Sequence, residues 1–326
     1  MAKSLTTTDI VSSYGQYYEN NGQNKTRVIT GFVAPTNTLE GVRNIPTKET
    51  RYTASNAILS ELLQGYQSKF TPKGGVEFIP NTIELQKMKV DLQWEPGELE
   101  DNWLGFFTDD NSLNYKDWPI SKWMCEDYIK KQILLDKEMK VVYKGKFKAA
   151  SPGVATAAAD CMDGLKEKIL QGKNNAKCPV NIVNAIGALD TTSVYEQITE
   201  FARAIYKEFG NVAPFTIYVA PEFELAYLEK KLERGYLGGI TTENQITRKV
   251  NFMNVTVKGV DSMIGTTDMF ATMPKNIIHV SKRNSGNFKL EEHLREVFFL
   301  SHWYEGIGFG CNKIVFATDS TVAPGA

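Results

Sequence analysis

One long amphipathic helix constrains the fold of this chain more than any other feature. From Pro119 to Tyr143, apolar residues recur along adjoining i, i+4 rows, and Pro119 suits the first turn of a helix. At 1.5 Å per residue, this helix is about 36 Å long. A strand-like stretch precedes it, and a compact mixture of helices and strands follows it. The order predicts an α+β protein built around a rod, although the helix taken alone also suits the core of an enzyme.

The region before the rod predicts a long β-hairpin over residues 47–96. Its turn sequence is Pro72, Lys73, Gly74 and Gly75. Thr82 to Trp94 contains period-two apolar stretches, as expected for strands. The apolar set changes face between Leu85 and Met88, which predicts a bulge, a twist or a change of packing partner. A helix from Ala57 to Gly65 is a competing interpretation of part of this region.

The first 46 residues predict an extended arm. A short helix is predicted from Thr8 to Tyr18, but polar and turn-forming residues follow at 20–24 and 34–37. Sequence of this kind rarely packs alone, so we expect the arm to gain order against neighbouring subunits. A flexible terminus is the alternative.

The segment after the rod predicts a small α/β lobe. A short helix is expected from Asp160 to Gln171. An amphipathic helix follows from Ser193, with the spacing of a capping box to Glu196, and ends before Gly210. The apolar run Phe215 to Ala220 predicts a strand buried on both faces.

The rest of the lobe and the end of the chain predict one more helix and several strands. The helix is expected from Pro221 to Arg234, followed by a loop rich in Gly and Thr from Gly235 to Gln245. Further strands are predicted at Lys249 to Lys258, Asn276 to Val280, Leu294 to Tyr304 and Gly308 to Thr318.

The composition argues against several classes of function. The net charge is −1 and the pI about 6.4, whereas a protein that grips duplex DNA normally carries a marked basic excess. The 4 cysteines form no CxxC pair. No apolar run of signal-peptide or membrane-spanning length is present, so no membrane contact is expected.

No pattern for catalysis or metal binding emerges. His279, His293 and His302 do not have metal-ligand spacing, and we interpret them as strand or surface residues. Phosphate-binding and nucleophile-elbow motifs are also missing from the sequence. We therefore expect no enzyme activity, no cofactor and no metal.

The order of arm, hairpin, long helix, Gly145-Lys146-Phe147, Pro152-Gly153, Asp163-Gly164-Leu165 and closing α/β lobe resembles the major capsid proteins of tailed bacteriophages. These proteins have the Hong Kong 97-like capsid fold, which encapsulins share. The resemblance implies an N-terminal arm (1–46), an extended loop (47–96), a peripheral domain (97–177 and 281–326) with the rod as its spine helix (119–143), and an axial domain (178–280).

The resemblance also implies contacts between subunits. Pro72, Lys73, Gly74 and Gly75 would lie at the tip of the extended loop, on a neighbouring subunit. Gly235, Gly238 and Gly239 would lie in the axial loop, near a symmetry axis. The chain would bury much of its apolar surface against copies of itself. No covalent crosslink through Lys73 is expected, because the sequence identifies no acceptor or activating acid.

The implied function is a virion protein: a capsid subunit that self-assembles through hexamers and pentamers into an icosahedral head around double-stranded DNA. Assembly would take place in the bacterial host cytoplasm, with a separate scaffolding protein, a portal and a decoration protein as partners. DNA would be enclosed without sequence-specific binding. Two alternatives stay open: an encapsulin-like compartment for protein cargo, and an α/β enzyme with a dispersed site.

Overall fold

The computed structural model describes residues 6–14, 22–59, 61, 63–95, 120–211, 213–234, 247–283 and 285–322. Helices and strands both contribute to the core of this part of the chain, which confirms the predicted α+β class. None of the helices in these ranges is long and apolar enough to cross a membrane.

The N-terminal arm folds onto the body of its own chain. It contains α1 (Thr7–Tyr14), α2 (Gly22–Phe32) and strand β1 (Arg43–Thr47), which pairs in parallel with β9 (Ile277–Lys282). Tyr14 is buried, and its hydroxyl donates a hydrogen bond to the Phe288 carbonyl oxygen at 2.9 Å. The prediction of an extended arm is therefore wrong for the described residues, because the helices supply enough apolar surface to pack.

The predicted hairpin is present and ends earlier than expected. Strands β2 (Arg51–Leu59) and β3 (Val76–Glu84) pair antiparallel, with Arg51 opposite Glu84. Strand β4 (Gln86–Trp94) then pairs with β11 (Glu296–Phe309). The change of face between Leu85 and Met88 therefore marks a change of packing partner. The competing helix from Ala57 does not form, because β2 continues through that position.

The rod, α3, covers residues 120–141. Its consecutive segments are Ile120–Trp123, Met124–Ile129, Lys130–Asp136 and Lys137–Val141. The second and fourth segments have the wider π-helical winding, which shifts the side chains relative to a regular helix. The adjacent residues Lys137 and Glu138, at the start of the fourth segment, are both buried. Pro119, the predicted first residue of the rod, lies outside the described residues.

The first sheet surrounds one long strand. Strand β10 is Asn287–His293 and β11 is Glu296–Phe309. The strand order is β1–β9–β11–β10, and β4 also pairs with β11. The sequence predicts a strand from Leu294 to Tyr304 and another from Gly308, but β11 runs unbroken through this region.

The glycines of β11 explain that error. A Cβ on Gly306 would lie 2.6 Å from the Glu84 carbonyl oxygen, and one on Gly308 would lie 2.8 Å from Ile83 Cγ1. Both positions therefore allow the end of the hairpin to approach β11 closely, and neither is a turn. The actual turn is at Leu294, which has a φ of 56°.

The second sheet belongs to the α/β lobe. Its strands are β5 (Asn181–Val183), β6 (Phe215–Val219), β7 (Val255–Gly259), β8 (Phe270–Thr272) and β12 (Val315–Thr318), in the order β5–β12–β8–β6–β7. The accompanying helices are α4 (Leu165–Lys173), α5 (Val194–Phe209), α6 (Pro221–Glu233) and the short α7 (Asp319–Val322). Strand β12 thus joins the strands of the lobe, and the assignment of 281–326 to the peripheral domain stays a prediction.

Local predictions in the lobe have mixed outcomes. Helix α5 lies where predicted. The side chain of Ser193 makes no capping hydrogen bond, so the predicted capping box does not form. Helix α4 begins at Leu165, after a 3-10 turn at Ala158–Asp160. The strand predicted from Lys249 begins only at Val255, because residues 249–254 form a turn.

Candidate functional site

The far end of the hairpin is exposed along its whole length. Every described residue from 61 to 75 is exposed, and we call this segment the hairpin tip. It includes large apolar side chains: Leu63 is 86% exposed, Tyr66 98% and Phe70 89%. Phe78 on the adjoining part of β3 is 67% exposed. Isolated exposed apolar residues are ordinary, but a cluster on one protruding segment is typical of an interaction surface.

The opposite end of the hairpin is anchored in the body. A small apolar cluster joins it to β9, and its buried members are Ala54, Ile83, Leu85, Ile278 and Val280. Within the described residues, β2 and β3 pair with each other and with no further strand. A two-stranded hairpin is marginally stable alone in water. The base therefore fixes the direction of the hairpin, while the large apolar side chains of the tip are exposed.

Polar contacts also fasten β3 to the body. The side-chain amide of Asn81 donates hydrogen bonds to the Phe309 carbonyl oxygen at 2.7 Å and to Asn312 Oδ1 at 3.0 Å. Glu77 forms an ion pair with Lys177, with 2.8 Å between Oε1 and Nζ. The Lys177 ammonium lowers the pKa of Glu77 through this hydrogen bond and its charge. Because the ion pair is exposed, it contributes little to stability, and Asn81 is the firmer attachment.

Hydrogen bonds shape the hairpin tip from within. Lys73 Nζ donates to the Leu63 carbonyl oxygen at 2.7 Å and lies 3.1 Å from Glu61 Oε1. Gln64 Nε2 donates to the Thr71 carbonyl oxygen at 2.8 Å. Gly74 has a φ of 87°, which favours glycine. These contacts give the tip a defined shape that leaves its apolar side chains facing outward.

A second exposed apolar residue stands out in the α/β lobe. Phe252 lies in the turn at 249–254, is 93% exposed and has a φ of 64°, a rare conformation for a bulky side chain. Asn211 holds the turn, because its Oδ1 accepts a hydrogen bond from the Asn254 backbone at 3.0 Å. The lobe thus presents a fixed aromatic side chain to solvent.

A buried charged cluster lies where the arm, the rod and the first sheet meet. Lys137 Nζ lies 2.7 Å from Glu305 Oε1, and it also donates to the Phe32 carbonyl oxygen at 3.2 Å. His279 Nε2 lies 3.3 Å from Glu305 Oε1, and its Nδ1 lies 2.9 Å from Asn44 Oδ1. These contacts join two points of the arm to the rod and to β9 and β11.

The electrostatics of this cluster favour an ionised carboxylate. Burial by itself raises the pKa of Glu305, but the charges and hydrogen bonds of Lys137 and His279 outweigh burial and lower it to about 2. Glu305 is completely buried. Glu305 therefore acts as a buried structural ion-pair partner. Its pKa lies far from the neutral value that suits a general acid or base.

A neighbouring carboxylate fastens the arm to the α/β lobe. Glu138 accepts hydrogen bonds at 3.2 Å from the backbone of Thr38, in the arm, and from the backbone of Ser262, in the lobe. In the described part of the chain, no group of three or more His, Cys, Asp or Glu residues is arranged to hold a metal ion. Glu138 thus has a structural role, because its carboxylate holds both the arm and the lobe to the rod.

Comparisons with known proteins agree on the architecture. No family model matches the chain, and no curated protein matches it. Among solved structures, a chain of the satellite phage P4 procapsid with its size determination (Sid) protein matches at a TM-score of 0.59 and 11% identity, over 90% of this chain and 89% of that one. The capsid of the native GTA particle matches at 0.55 and 10%, over 87% and 91%. Mycobacterium phage Che8 matches at 0.50 and 9%, over 88% and 92%.

The chain has the phage-capsid fold. This result confirms the predicted Hong Kong 97-like architecture. Because the matches span almost the whole of each chain, the likeness is one of complete architecture and not of a shared fragment.

The predicted contact residues fall in two places. Pro72, Lys73, Gly74 and Gly75 all lie in the hairpin tip and are exposed. Gly235, Gly238 and Gly239, predicted in the axial loop, lie outside the described residues. A role in contacts between subunits stays a prediction for both sets, as does the expectation that Lys73 forms no crosslink.

The sequence analysis missed the apolar residues that make the tip distinctive. Leu63, Tyr66 and Phe70 lie in a stretch of Gln, Gly, Ser and Lys, without the alternation of a strand. Large apolar residues that fit no buried pattern are a usable signal for a contact surface. The buried cluster of Lys137 and Glu305 gave no such signal, because only the fold brings these residues together.

Proposed function

We propose that this protein is a major capsid protein, a structural subunit that assembles through hexamers and pentamers into an icosahedral phage head enclosing double-stranded DNA. The observation that carries the proposal is the anchored hairpin with an exposed apolar tip, on a chain with the phage-capsid fold. In the assembled shell, the hairpin tip lies on a neighbouring copy.

The energetics of the tip support association. Burial of one large apolar side chain contributes about 1.5–3 kcal/mol. Burial of Leu63, Tyr66 and Phe70 in every copy contributes on the order of 5 kcal/mol before the costs of association. Each subunit of a closed shell makes several contacts at once, so modest contacts combine into a stable assembly.

Phe252 supplies a candidate second contact in the same shell. Its lobe also carries the predicted axial loop with Gly235, Gly238 and Gly239. An exposed aromatic side chain on a turn suits a contact between subunits, since aromatic residues are enriched in interfaces.

The net charge of the chain and the structural roles of its buried charged residues suit a shell protein better than an enzyme. The net charge of −1 suits a protein that encloses DNA without gripping its sequence. We further propose that the chain is a non-enzymatic virion protein, assembled in the bacterial host cytoplasm with a scaffolding protein, a portal and a decoration protein. An encapsulin-like shell would have the same subunit contacts and differ in its contents.

Electron microscopy of the purified full chain tests the proposal. Rings or closed shells are expected over a range of salt concentrations. The triple variant L63S/Y66S/F70S should lose them, because the tip can no longer bury apolar surface on a neighbour. Its circular dichroism spectrum and unfolding midpoint should match those of the unassembled wild type, because the three side chains are largely exposed in the subunit.

The matched control is Leu294→Asn. This residue is also an exposed leucine on a turn, and asparagine tolerates its left-handed backbone. The control should assemble like the wild type. A wild type that stays monomeric under all conditions contradicts the proposal, and so does a triple variant that assembles normally. Nucleic acid inside the shells supports a phage head, whereas protein cargo supports the encapsulin alternative.

A further inference from the structure

Two cysteines that are far apart in the sequence meet at one edge of the second sheet. Cys178 precedes β5 and Cys311 precedes β12, and these two strands pair in parallel with Asn181 opposite Phe316. Parallel pairing places the starts of both strands at the same edge. The pairing register therefore brings Cys178 and Cys311 together.

Direct contacts confirm that the two segments touch. Asn312 Nδ2 donates a hydrogen bond to the Cys178 carbonyl oxygen at 3.2 Å, and Asn181 Nδ2 donates to the Lys313 carbonyl oxygen at 2.6 Å. Cys178 lies near enough to Cys311 to help raise the pKa of its thiol, and both thiols are free. Cys178 is buried, whereas Cys311 is partly exposed. The Cys311 thiol is therefore accessible to a small reagent, and the buried Cys178 thiol lies close to it.

We propose that Cys178 and Cys311 form a redox modification site, which a two-electron oxidant of the peroxide class converts into an intramolecular disulfide. This site is independent of the proposed shell function, because it requires only the proximity of the two thiols within one chain.

The reaction takes place in two balanced steps. The thiolate of Cys311 attacks one oxygen of hydrogen peroxide, the O–O bond breaks, and the released hydroxide takes up a proton to leave water and a sulfenic acid. The thiolate of Cys178 then attacks the Cys311 sulfur, the S–S bond forms and the S–O bond breaks, and the hydroxide that leaves takes up the proton lost from the Cys178 thiol to give a second water. The two sulfurs together lose two electrons, and the peroxide gains them.

The environment of Cys311 sets the rate of the first step. Burial raises the pKa of this thiol, and the neighbouring Cys178 adds to that effect. The thiolate is the nucleophile, so a raised pKa makes oxidation slow at neutral pH. The rate should rise with pH until the thiol is fully ionised.

The disulfide would lie under the attachment of the hairpin. Lys177, next to Cys178, pairs with Glu77 of β3, and Asn312, next to Cys311, binds Asn81 of β3. A covalent link between Cys178 and Cys311 would fix these two contact points relative to each other. We therefore expect slower amide hydrogen exchange in β3 after oxidation.

Mass spectrometry of the full chain tests the site. The protein is treated with hydrogen peroxide, its remaining free thiols are alkylated, and it is digested without reduction. We expect a peptide pair that links Cys178 to Cys311, and a fall in free thiols from four to two that dithiothreitol reverses. Variants C178S and C311S should yield no such link.

The matched control is Cys161→Ser, because Cys161 is also partly exposed, but its thiol donates a hydrogen bond to the Ala157 carbonyl oxygen at 3.9 Å. This variant should still form the Cys178–Cys311 link, and its oxidised form should unfold at a higher temperature than its reduced form, as a crosslink constrains the unfolded chain. Four free thiols after oxidation overturn the proposal. So does a product in which Cys311 carries sulfenic or sulfinic acid without a linked peptide.

Discussion

The N-terminal arm and the hairpin tip differ in a way that the sequence does not show. Both were expected to reach a neighbouring subunit. The arm buries Ile10, Tyr14 and Phe32 on its own chain, whereas Tyr66 and Phe70 of the tip are almost fully exposed. The described apolar residues of the arm are therefore packed inside the subunit, and those of the tip are exposed.

The difference assigns separate roles to the two segments. The arm is part of the fold, because its residues contact the rod, β10 and the buried pair of Lys137 and Glu305. The tip adds little to the fold, since all of its described residues are exposed. Removal of an arm contact should therefore lower stability, and removal of a tip contact should impair association alone.

The largest expected effect is at Lys137. Replacement of Lys137 by Met leaves the Glu305 carboxylate buried without its cation, which costs about 3–5 kcal/mol. Urea denaturation of the unassembled subunit measures the free energy of unfolding. The control is K140M on the same rod, where the lysine is exposed and its ion pair with Asp136 contributes little. Equal losses in K137M and K140M would show that the buried pair does not hold the arm.

A pair of phenylalanine variants compares the two segments directly. Phe32→Ala in the arm should cost about 3–5 kcal/mol, because it leaves a cavity against Phe288 and Trp303. Phe78→Ala beside the tip should change the free energy of unfolding by less than about 0.5 kcal/mol, because its side chain is exposed. Thermal or urea unfolding of both variants gives the comparison, and similar losses at the two positions would remove the distinction.

A smaller effect is expected from acid. The folded pKa of Glu305 is about 2 against an ordinary value of 4.5, so its contribution to stability is complete above pH 4.5 and is lost as the pH falls towards 2. The loss is about 3 kcal/mol. The difference in unfolding free energy between wild type and E305Q should therefore shrink over this range. A constant difference between pH 4.5 and 2 would contradict the ionised state.

The parts of the fold that the sequence predicted are those with strong local signals. Helix α5 has a continuous apolar stripe, and β6 is an apolar run of strand length. The change of face between Leu85 and Met88 correctly indicated a new packing partner, because side-chain alternation reports directly on the buried side of a strand.

The errors have a common cause in long-range packing. Helix α2 begins in polar sequence, and its packing depends on β10 and the rod. Gly306 resembles a turn residue, yet its role is to admit the Glu84 carbonyl oxygen. The sequence predicted one part of the candidate site, the turn residues Pro72 to Gly75, which lie in the tip. It did not predict the exposure of Tyr66 and Phe70, because that exposure depends on which surfaces the rest of the folded chain covers.

The central claim is that a neighbouring copy covers the hairpin tip, and hydroxyl-radical footprinting tests it most directly. Labelling of Tyr66 and Phe70 is compared between the unassembled subunit and the assembled particle, with Phe32 of the arm as the internal reference. Tyr66 and Phe70 should be heavily labelled in the subunit and protected in the particle, while Phe32 is protected in both. Equal labelling of Tyr66 and Phe70 in the two states would contradict the claim.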